Sequence, residues 1–204
     1  MLFHSITGVI LAGGKGRRMG QEKALIELGG KTLLKGVADC LLGLFSEVLI
    51  VTDVPERFPH FPYRCLVDDR SGLGPIGGLH TALRATQQET VFLTACDMPF
   101  LHSGVIRSMV SALGRYDLLM PRLSNKLHPL HALYTKKCLP AIEAQISGRD
   151  LALHRLPKLV NGGIYLERTF RQIDPALLSV VNINTPEDLA EARSTLERGE
   201  GPSA

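Results

Sequence analysis

Short apolar runs alternate with amphipathic segments along much of the chain, and few folds accommodate that alternation. The first run, Ile6 to Leu11, is apolar and borders glycines, which is typical of a buried parallel strand. Further strands are expected at residues 47–51, 64–67, 90–94 and 117–120, and helices at residues 32–44, 78–85, 105–113 and 189–196. This order predicts one α/β domain over residues 1–204, a three-layer sandwich around a mainly parallel sheet.

Several boundaries between these elements carry local signals. Residues 185–188 read Thr-Pro-Glu-Asp, which places an N-cap, a first-turn proline and early carboxylates before the last helix. The glycine pair at residues 29–30 predicts a hairpin turn. Three prolines within residues 55–62 indicate a non-helical connection, and residues 197–204 are expected to fray.

Composition excludes several classes of protein. With 204 residues, of which 45% are hydrophobic and 21% charged, the chain can bury a core without a metal or a disulfide, and it is neither disordered, collagen-like nor coiled coil. Its apolar runs fall far short of the roughly 18 residues of a membrane span, and no leader pattern opens it, so a cytoplasmic protein without a membrane partner is expected. The four cysteines form no CxxC pair, which fits a reduced chain.

The positive charge is concentrated near the N-terminus. The net charge is only +3, but residues 11–36 hold six lysines and arginines against two glutamates. Aromatic residues are 5% of the chain and tryptophan is absent, too few for the stacking platforms that bind single-stranded nucleic acid. The pattern favours a compact anionic ligand over a nucleic acid.

A glycine-rich basic segment, Leu11 to Lys23, follows the first strand directly. Its four glycines let backbone amides approach a ligand, and amides together with cations suit a triphosphate. The segment is not a GxGxxG fingerprint, because Met19 stands where the third glycine is needed when the motif is read from Gly14. It is not a P-loop either, because Leu25 stands at the first glycine position that residues 30–32 would require. A solvated basic loop without a ligand stays an alternative.

Carboxylates follow two later strands, at the ends where ligands bind in open parallel sheets. Asp97 comes just after the strand at residues 90–94, and Pro99 prevents a helix from starting at once. A carboxylate there suits Mg²⁺, although a plain helix cap is the alternative. Asp69 follows the third strand, expected at residues 64–67, and an exposed loop charge is the alternative for it. Cys96 has no apparent base beside it and is not expected to act as a nucleophile.

Several motifs together resemble a known family. The segment LAGGKGRRMGQEKAL resembles the signature of sugar-nucleotide-type nucleotidyltransferases. With LVDD, GPIGGL, TACDMP, HP and NINTP, the chain from residue 6 to about 196 is similar to the molybdenum cofactor guanylyltransferase family, which joins GMP from GTP to molybdopterin. An asparagine often found in the family after the second strand is replaced by Val51 or Thr52, which affects one expected base or ribose contact.

The resemblance implies a Rossmann-like nucleotidyltransferase fold, Mg²⁺ as cofactor, and GTP and molybdopterin or molybdenum cofactor as substrates. Molybdoenzymes or their chaperones are implied as further partners. The catalytic residues would be Arg18, Lys23 and Asp97, with Asp97 also holding the metal. The GTP-binding residues would be Leu11, Ala12, Gly13, Gly14, Lys23, Asp69, Gly74, Gly78 and Asp97.

The implied molybdopterin residues are His128, Arg149, Asn182 and Asn184. The two asparagines have a turn-and-cap alternative, but Thr185 is the better cap, so their amides are expected to be free for the pterin. The cleft would then have a GTP half near the N-terminus and a separate pterin half. A metal pair of His128 and His131 is not expected, since no cysteine or acidic companion accompanies it.

Other functions stay open at this point. Within the same fold, the chain is also compatible with a molybdopterin cytidylyltransferase or a sugar-phosphate nucleotidyltransferase. A dinucleotide-dependent oxidoreductase has an acid available in Asp53 but lacks the glycine pattern. A nonenzymatic nucleotide-binding or chaperone module is the third alternative, and the presence of Arg18, Lys23 and Asp97 favours an enzyme.

Overall fold

The middle layer of the fold is a mainly parallel sheet. The structure, a computed structural model, describes residues 2–13, 22–58, 63–68, 70 and 72–201. Its strands are β1 (Phe3–Leu11), β2 (Glu27–Leu28), β3 (Lys31–Thr32), β4 (Phe45–Thr52), β5 (Arg64–Val67), β6 (Thr90–Ala95), β7 (Leu118–Leu123), β8 (Lys126–Leu127), β9 (Ala132–Thr135) and β10 (Gly162–Leu166). The sheet has the order β10-β7-β9-β6-β1-β4-β5 with β8 on β7, while β2 and β3 form a separate hairpin.

The register of the central strands brings their ends together. Leu11 of β1 lies opposite Val51 of β4 and Ala95 of β6, and all three strands are parallel. β5 extends this parallel group beyond β4, whereas β9 runs antiparallel between β6 and β7. The strands β1, β4, β5 and β6 therefore end at one side of the sheet, which we call the carboxyl edge.

Helices cover both faces of the sheet. They are α1 (Leu33–Leu42), α2 (Pro75–Ala85), α3 (Ser103–Leu113), α4 (Leu139–Ser147), α5 (Glu167–Arg171) and α6 (Pro186–Glu197). Buried apolar residues of α1, α3 and α5 share one core with the sheet, and those of α2 and α4 share a second core on the opposite face. The predicted three-layer α/β sandwich is confirmed. None of the described helices has both the length and the apolar composition that crossing a membrane requires.

A third, smaller core joins segments from the two ends of the chain. It consists of Ile26, Leu33, Phe100, Ile183, Leu189 and Ala192. The β2–β3 hairpin and the start of α1 contribute to it from the N-terminal side, and α6 contributes from the C-terminal side. This third core holds the segment after Lys23 close to the segment that contains Asn184.

The structure differs from the sequence-based expectations at several elements. α2 begins at Pro75 rather than at residue 78, because a first-turn proline gives up an N–H that has no partner inside the helix. For the same reason Pro55–Arg57 forms a short 3-10 turn in a connection that was expected to be non-helical. In the C-terminal tail, Gly199 and Glu200 donate hydrogen bonds to the carbonyls of Leu196 and Thr195, and residues 202–204 lie outside the described part.

Candidate active site

Four polar side chains meet at the carboxyl edge. The ammonium of Lys23 donates to Asp97 Oδ2 at 3.1 Å and to Asn184 Oδ1 at 2.8 Å. The amide of Asn182 donates from Nδ2 to Asp97 Oδ1 at 2.9 Å. We call Lys23, Asp97, Asn182 and Asn184 the Lys23 cluster. It joins two predicted catalytic residues to two residues expected in a separate part of the cleft.

Asp97 is fixed by the end of β6. The strand continues its ladder for one residue, since the N–H of Cys96 donates to the carbonyl of Leu11, and a turn then closes from Met98 N–H to the Ala95 carbonyl. The side chain of Asp97 is 15% exposed, so it faces the solvent edge while its backbone is held by two strands. The predicted position at a strand end is confirmed.

Lys23 is fixed by a short turn that packs into the protein. It opens a 3-10 turn, Lys23–Leu25, in which Ala24 is fully buried. Ile26 N–H donates to the Lys23 carbonyl, and the Ile26 carbonyl accepts from Leu33 N–H at the start of α1. Because the backbone of Lys23 is anchored in this way, its ammonium lies at the carboxyl edge. The side chain of Lys23 is only 19% exposed.

The cap of α6 sets the position of Asn184. The Thr185 hydroxyl accepts from Asp188 N–H at 3.1 Å, and Asp188 Oδ2 accepts from Thr185 N–H at 2.9 Å and from Asn184 N–H at 2.7 Å. These N–H donors hold the pKa of Asp188 below its usual range, so its carboxylate stays charged. The predicted Thr185 cap is confirmed. The hydrogen bond that Asn184 N–H donates to Asp188 was not predicted, because a carboxylate in the first turn was expected to serve the helix alone.

The expectation that both asparagine amides are free is wrong. Asn182 is bonded to Asp97, and Asn184 is bonded to Lys23, across 85 and 161 residues of sequence. The physical reason is that the segment before α6 crosses the end of β6, where the N–H of Ile183 also donates to the Asp97 carbonyl at 2.9 Å. A strict division into a GTP half and a pterin half does not match these contacts. The role of the asparagines toward molybdopterin stays a prediction.

The start of the glycine-rich segment lies beside the Lys23 cluster in the sheet. Ala12 N–H donates to the Val51 carbonyl at 2.9 Å, and a side chain at Gly13 would begin 3.5 Å from Asp53 Oδ1. Gly13 thus lies at the carboxyl edge, close to the end of β4. Gly14, Arg18 and Asp69 lie outside the described residues, and their predicted roles stay predictions.

The two glycines predicted to line the nucleotide pocket have different structural reasons. Gly74 has φ +66°, a conformation that favours glycine, and caps α2. Gly78 is buried, and a Cβ atom there would lie 2.7 Å from Leu11 Cδ2. Its missing side chain lets α2 pack closely on β1, and a contact of either glycine with GTP stays a prediction.

His128 and Arg149, the remaining predicted pterin residues, lie on other segments. The His128 N–H donates to the Pro121 carbonyl, and burial together with Lys126 lowers the pKa of its imidazole. Arg149 follows α4 with φ +57°. Among the described residues, no hydrogen bond or ion pair joins either side chain to the Lys23 cluster.

Asp97 is suited to supply one carboxylate ligand to a magnesium ion. The described residues contain no group of three or more His, Cys, Asp or Glu placed to hold a metal. Mg²⁺ in nucleotide enzymes commonly uses one or two carboxylates and takes its other ligands from phosphates and water. Each Asp97 oxygen accepts one hydrogen bond here and keeps further lone pairs, so this residue suits that mode.

Cys96 does not have the properties of a nucleophile. It is 8% exposed, and burial raises the pKa of its thiol to about 12, with Asp97 and Glu22 adding to the effect. The thiol therefore stays protonated at neutral pH. This agrees with the expectation that Cys96 does not act as a nucleophile.

A broad groove along β5 and α2 is separate from the Lys23 cluster. A cavity of about 580 Å³ follows β5 and α2 and is lined by Leu66, Val67, Arg70, His80, Thr81, Arg84 and Ala85. None of the four cluster residues lines it.

The order of the sheet, with helices on both of its faces, defines a Rossmann-like α/β fold. A solved structure of molybdopterin-guanine dinucleotide biosynthesis protein A from Archaeoglobus fulgidus superposes with a TM-score of 0.83. It is 27% identical in sequence, and the match covers 94% of this chain and 99% of that one.

The chain belongs to the MobA-like NTP transferase family, whose model matches residues 8–162. A probable molybdenum cofactor guanylyltransferase from Pelotomaculum thermopropionicum is 38% identical, over 94% of this chain and 93% of the relative. A molybdenum cofactor guanylyltransferase from Desulfosudis oleivorans is 30% identical, over 96% of this chain and 98% of the relative.

Proposed function

We propose that this protein transfers GMP from GTP to molybdopterin, with release of pyrophosphate and with dependence on Mg²⁺. The observation that carries the proposal is the Lys23 cluster, in which a cation and a carboxylate are held together at the carboxyl edge. Relatives of nearly the same length that carry the name molybdenum cofactor guanylyltransferase support the choice of substrates.

In the proposed reaction, a phosphate oxygen of molybdopterin attacks the α-phosphorus of GTP. A new oxygen–phosphorus bond forms, the bond from the α-phosphorus to the bridging oxygen of the β-phosphate breaks, and pyrophosphate leaves with that electron pair. No protein nucleophile takes part, so the protein contributes positioning and charge stabilisation. Bound at Asp97, Mg²⁺ would neutralise phosphate charge.

Lys23 is proposed as a cation that stabilises phosphate charge during the transfer. Its ammonium is held from two sides, by the Asp97 carboxylate and by the Asn184 carbonyl oxygen. Because two acceptors fix its direction, little reorganisation is needed when charge develops on the phosphates. Arg18, in the basic segment, is proposed as a second cation for the leaving pyrophosphate.

Asn182 orients the carboxylate. By donating to Asp97 Oδ1 it fixes the rotation of the side chain and leaves Oδ2 toward Lys23. The proposal gives both asparagines a role beside the phosphates in addition to any contact with the pterin. It further places the reaction in the cytoplasm, with molybdoenzymes or their chaperones as recipients, on the support of the motif resemblance.

The decisive experiment is a transfer assay with purified protein and molybdopterin. Each of GTP, CTP, ATP and UTP is supplied in turn with Mg²⁺, and released pyrophosphate and the dinucleotide product are both measured. The proposal expects product from GTP, and loss of product on chelation of the metal. Faster transfer from CTP would indicate a cytidylyltransferase, while nucleotide binding without pyrophosphate release would indicate a nonenzymatic module.

A further inference from the structure

A buried carboxylate holds the turn that leads to Asn182. Asp174 is 5% exposed, and its two oxygens accept from Leu178 N–H at 3.1 Å and from Ser179 N–H at 2.8 Å. Leu177, the residue before these donors, has φ +58°, a left-handed conformation that is unfavourable for leucine. The two hydrogen bonds therefore stabilise a turn that the local sequence disfavours.

Ser179 ties this turn to the segment after Asp97. It is fully buried, and its hydroxyl accepts from the N–H of His102 at 3.1 Å. His102 is the N-cap of α3, in the connection that begins at the end of β6. The turn around Asp174 is thus joined to the connection that also carries Asp97.

The chain then runs directly to the Lys23 cluster. Asn182 donates to the Asp97 carboxylate, and Ile183, fully buried in the third core, donates its N–H to the Asp97 carbonyl. The segment from Asp174 to Ile183 is therefore held at its start by the carboxylate, in its middle by Ser179 and at its end by Asp97. Asp174 and Asp97 thus hold the two ends of the short segment that carries Asn182.

We infer that Asp174 is a positioning residue of the proposed transfer site, acting through Asn182 on the carboxylate of Asp97. Asp174 touches neither Lys23 nor Asp97 in any described hydrogen bond or ion pair, so its action is indirect. The kinetic part of this inference rests on the proposed function. The structural part, that Asp174 sets the environment of the Asn182 amide, does not.

The first test compares Asp174→Asn with a matched control, Thr7→Val. An asparagine offers one oxygen where the carboxylate offers two, so one of the two N–H donors loses its acceptor. Thr7 is also fully buried and hydrogen-bonded, to Glu47 and Thr86, but it lies in the middle of β1, before the carboxyl edge. Thr7→Val therefore removes a buried polar contact without touching the segment that leads to Asn182.

The readout is the side-chain amide resonance of Asn182 in proton–nitrogen NMR, identified by its absence from Asn182→Ala. Asp174→Asn should shift this resonance and Thr7→Val should leave it in place. Transfer turnover per folded molecule should fall about 10-fold or more in Asp174→Asn and stay unchanged in the control. In the Asn182→Ala background, Asp174→Asn should lower turnover by less than about twofold, since the pathway is already removed.

Ser179→Ala provides a second variant if Asp174→Asn does not fold, and it should shift the same resonance. The inference is overturned if the Asn182 resonance is unshifted in the folded variants. It is also overturned if Asp174→Asn lowers turnover by the same factor in the wild-type and in the Asn182→Ala background. If the wild-type protein transfers no GMP, the proposed function fails, and the Asn182 resonance still decides the role of Asp174.

Discussion

Lys23 and Asp97 are each held by an asparagine from the far end of the chain, so the candidate site brings together four side chains of three residue types. At this scale the charge of each group matters more than its size. The Asp97 carboxylate balances Lys23 and is the only member of the Lys23 cluster with a negative charge. Replacing it by an amide of the same shape separates charge from packing.

Asp97→Asn should lower transfer turnover by roughly 10²-fold or more, since the amide neither holds Mg²⁺ well nor balances Lys23. The fold should survive, because the side chain lies at the solvent edge and an asparagine still accepts hydrogen bonds. Turnover and circular dichroism are the measurements, with Glu143→Gln on α4 as the control. Near-normal turnover in Asp97→Asn would contradict the assignment of this carboxylate.

Asn184→Ala should weaken GTP binding by roughly 3- to 10-fold, because the Lys23 ammonium loses one of its two acceptors and its fixed direction. The measurement is calorimetric titration with GTP. Asn161→Ala is the control, since that side chain bonds to the Arg115 carbonyl near the start of β10. If GTP affinity is unchanged while transfer to molybdopterin falls, Asn184 serves the pterin alone and its contact with Lys23 has no role in nucleotide binding.

His131 gives the protein a dependence on pH that is independent of the site. The imidazole is fully buried between Phe92 and Phe170, and neither ring nitrogen has a partner in the described structure. Burial lowers its pKa from 6.5 to about 3. Between these values the unfolded chain binds a proton that the folded chain does not, so stability falls as the pH falls.

The wild-type protein should therefore lose about 2 kcal/mol of unfolding free energy through His131 between about pH 7 and about pH 5, since the loss approaches about 1.4 kcal/mol per pH unit below the unfolded pKa. Urea unfolding at about pH 7 and about pH 5 measures this loss. It should be smaller by that amount in His131→Leu and unchanged in a variant of the exposed His154, such as His154→Gln. An equal loss in all three proteins would show that His131 is protonated in the folded state.

At the scale of elements, α2 packs closely on the last residue of β1 through Gly78 and Leu11. Gly78→Ala should lower the free energy of unfolding by about 1 kcal/mol, because the new Cβ at 2.7 Å displaces the Leu11 side chain by more than the gain in helix propensity offsets. Gly36→Ala in α1 is the matched control, since a Cβ there meets nothing within 4 Å and should stabilise the protein. Denaturant unfolding measures both.

A double variant tests the stated cause. With Leu11→Ala in place, Gly78→Ala should become neutral or stabilising, since the atoms that it displaces have been removed. If the cost of Gly78→Ala is the same in both backgrounds, the close contact with Leu11 is not its origin. The result concerns packing alone and is separate from any contact of Gly78 with GTP.

For the whole molecule, nucleotide selectivity is measurable as a change in thermal stability. A ligand of the folded state raises the unfolding temperature according to its affinity and concentration. GTP with Mg²⁺ should therefore raise the unfolding temperature more than ATP, CTP or UTP at equal concentration. Equal shifts from all four would mean a phosphate site without base selection, and a larger shift from CTP would favour the cytidylyl alternative.

Local patterns in the sequence predicted the elements whose signals are local. The apolar run of β1, the cap at Thr185 and the position of Asp97 after β6 were all predicted in this way. The antiparallel strand β9 and the elements β8, β10, α4 and α5 were not predicted, because short segments between residues 121 and 184 lack a clear period. The bonds from Asn182 to Asp97 and from Asn184 to Lys23 were also missed. They join residues 85 and 161 positions apart, and only tertiary packing decides such pairs.

The third core determines when the site forms during synthesis. Ribosomes make the chain from its N-terminus, and domains generally begin to fold in that order. Lys23 emerges 161 residues before its partner Asn184, and Ile183, Leu189 and Ala192 of the third core emerge with that partner or after it. The central strands can pair before then, but the Lys23 cluster cannot close. In a nascent chain, the Lys23 cluster therefore cannot form before Asn184 has been made.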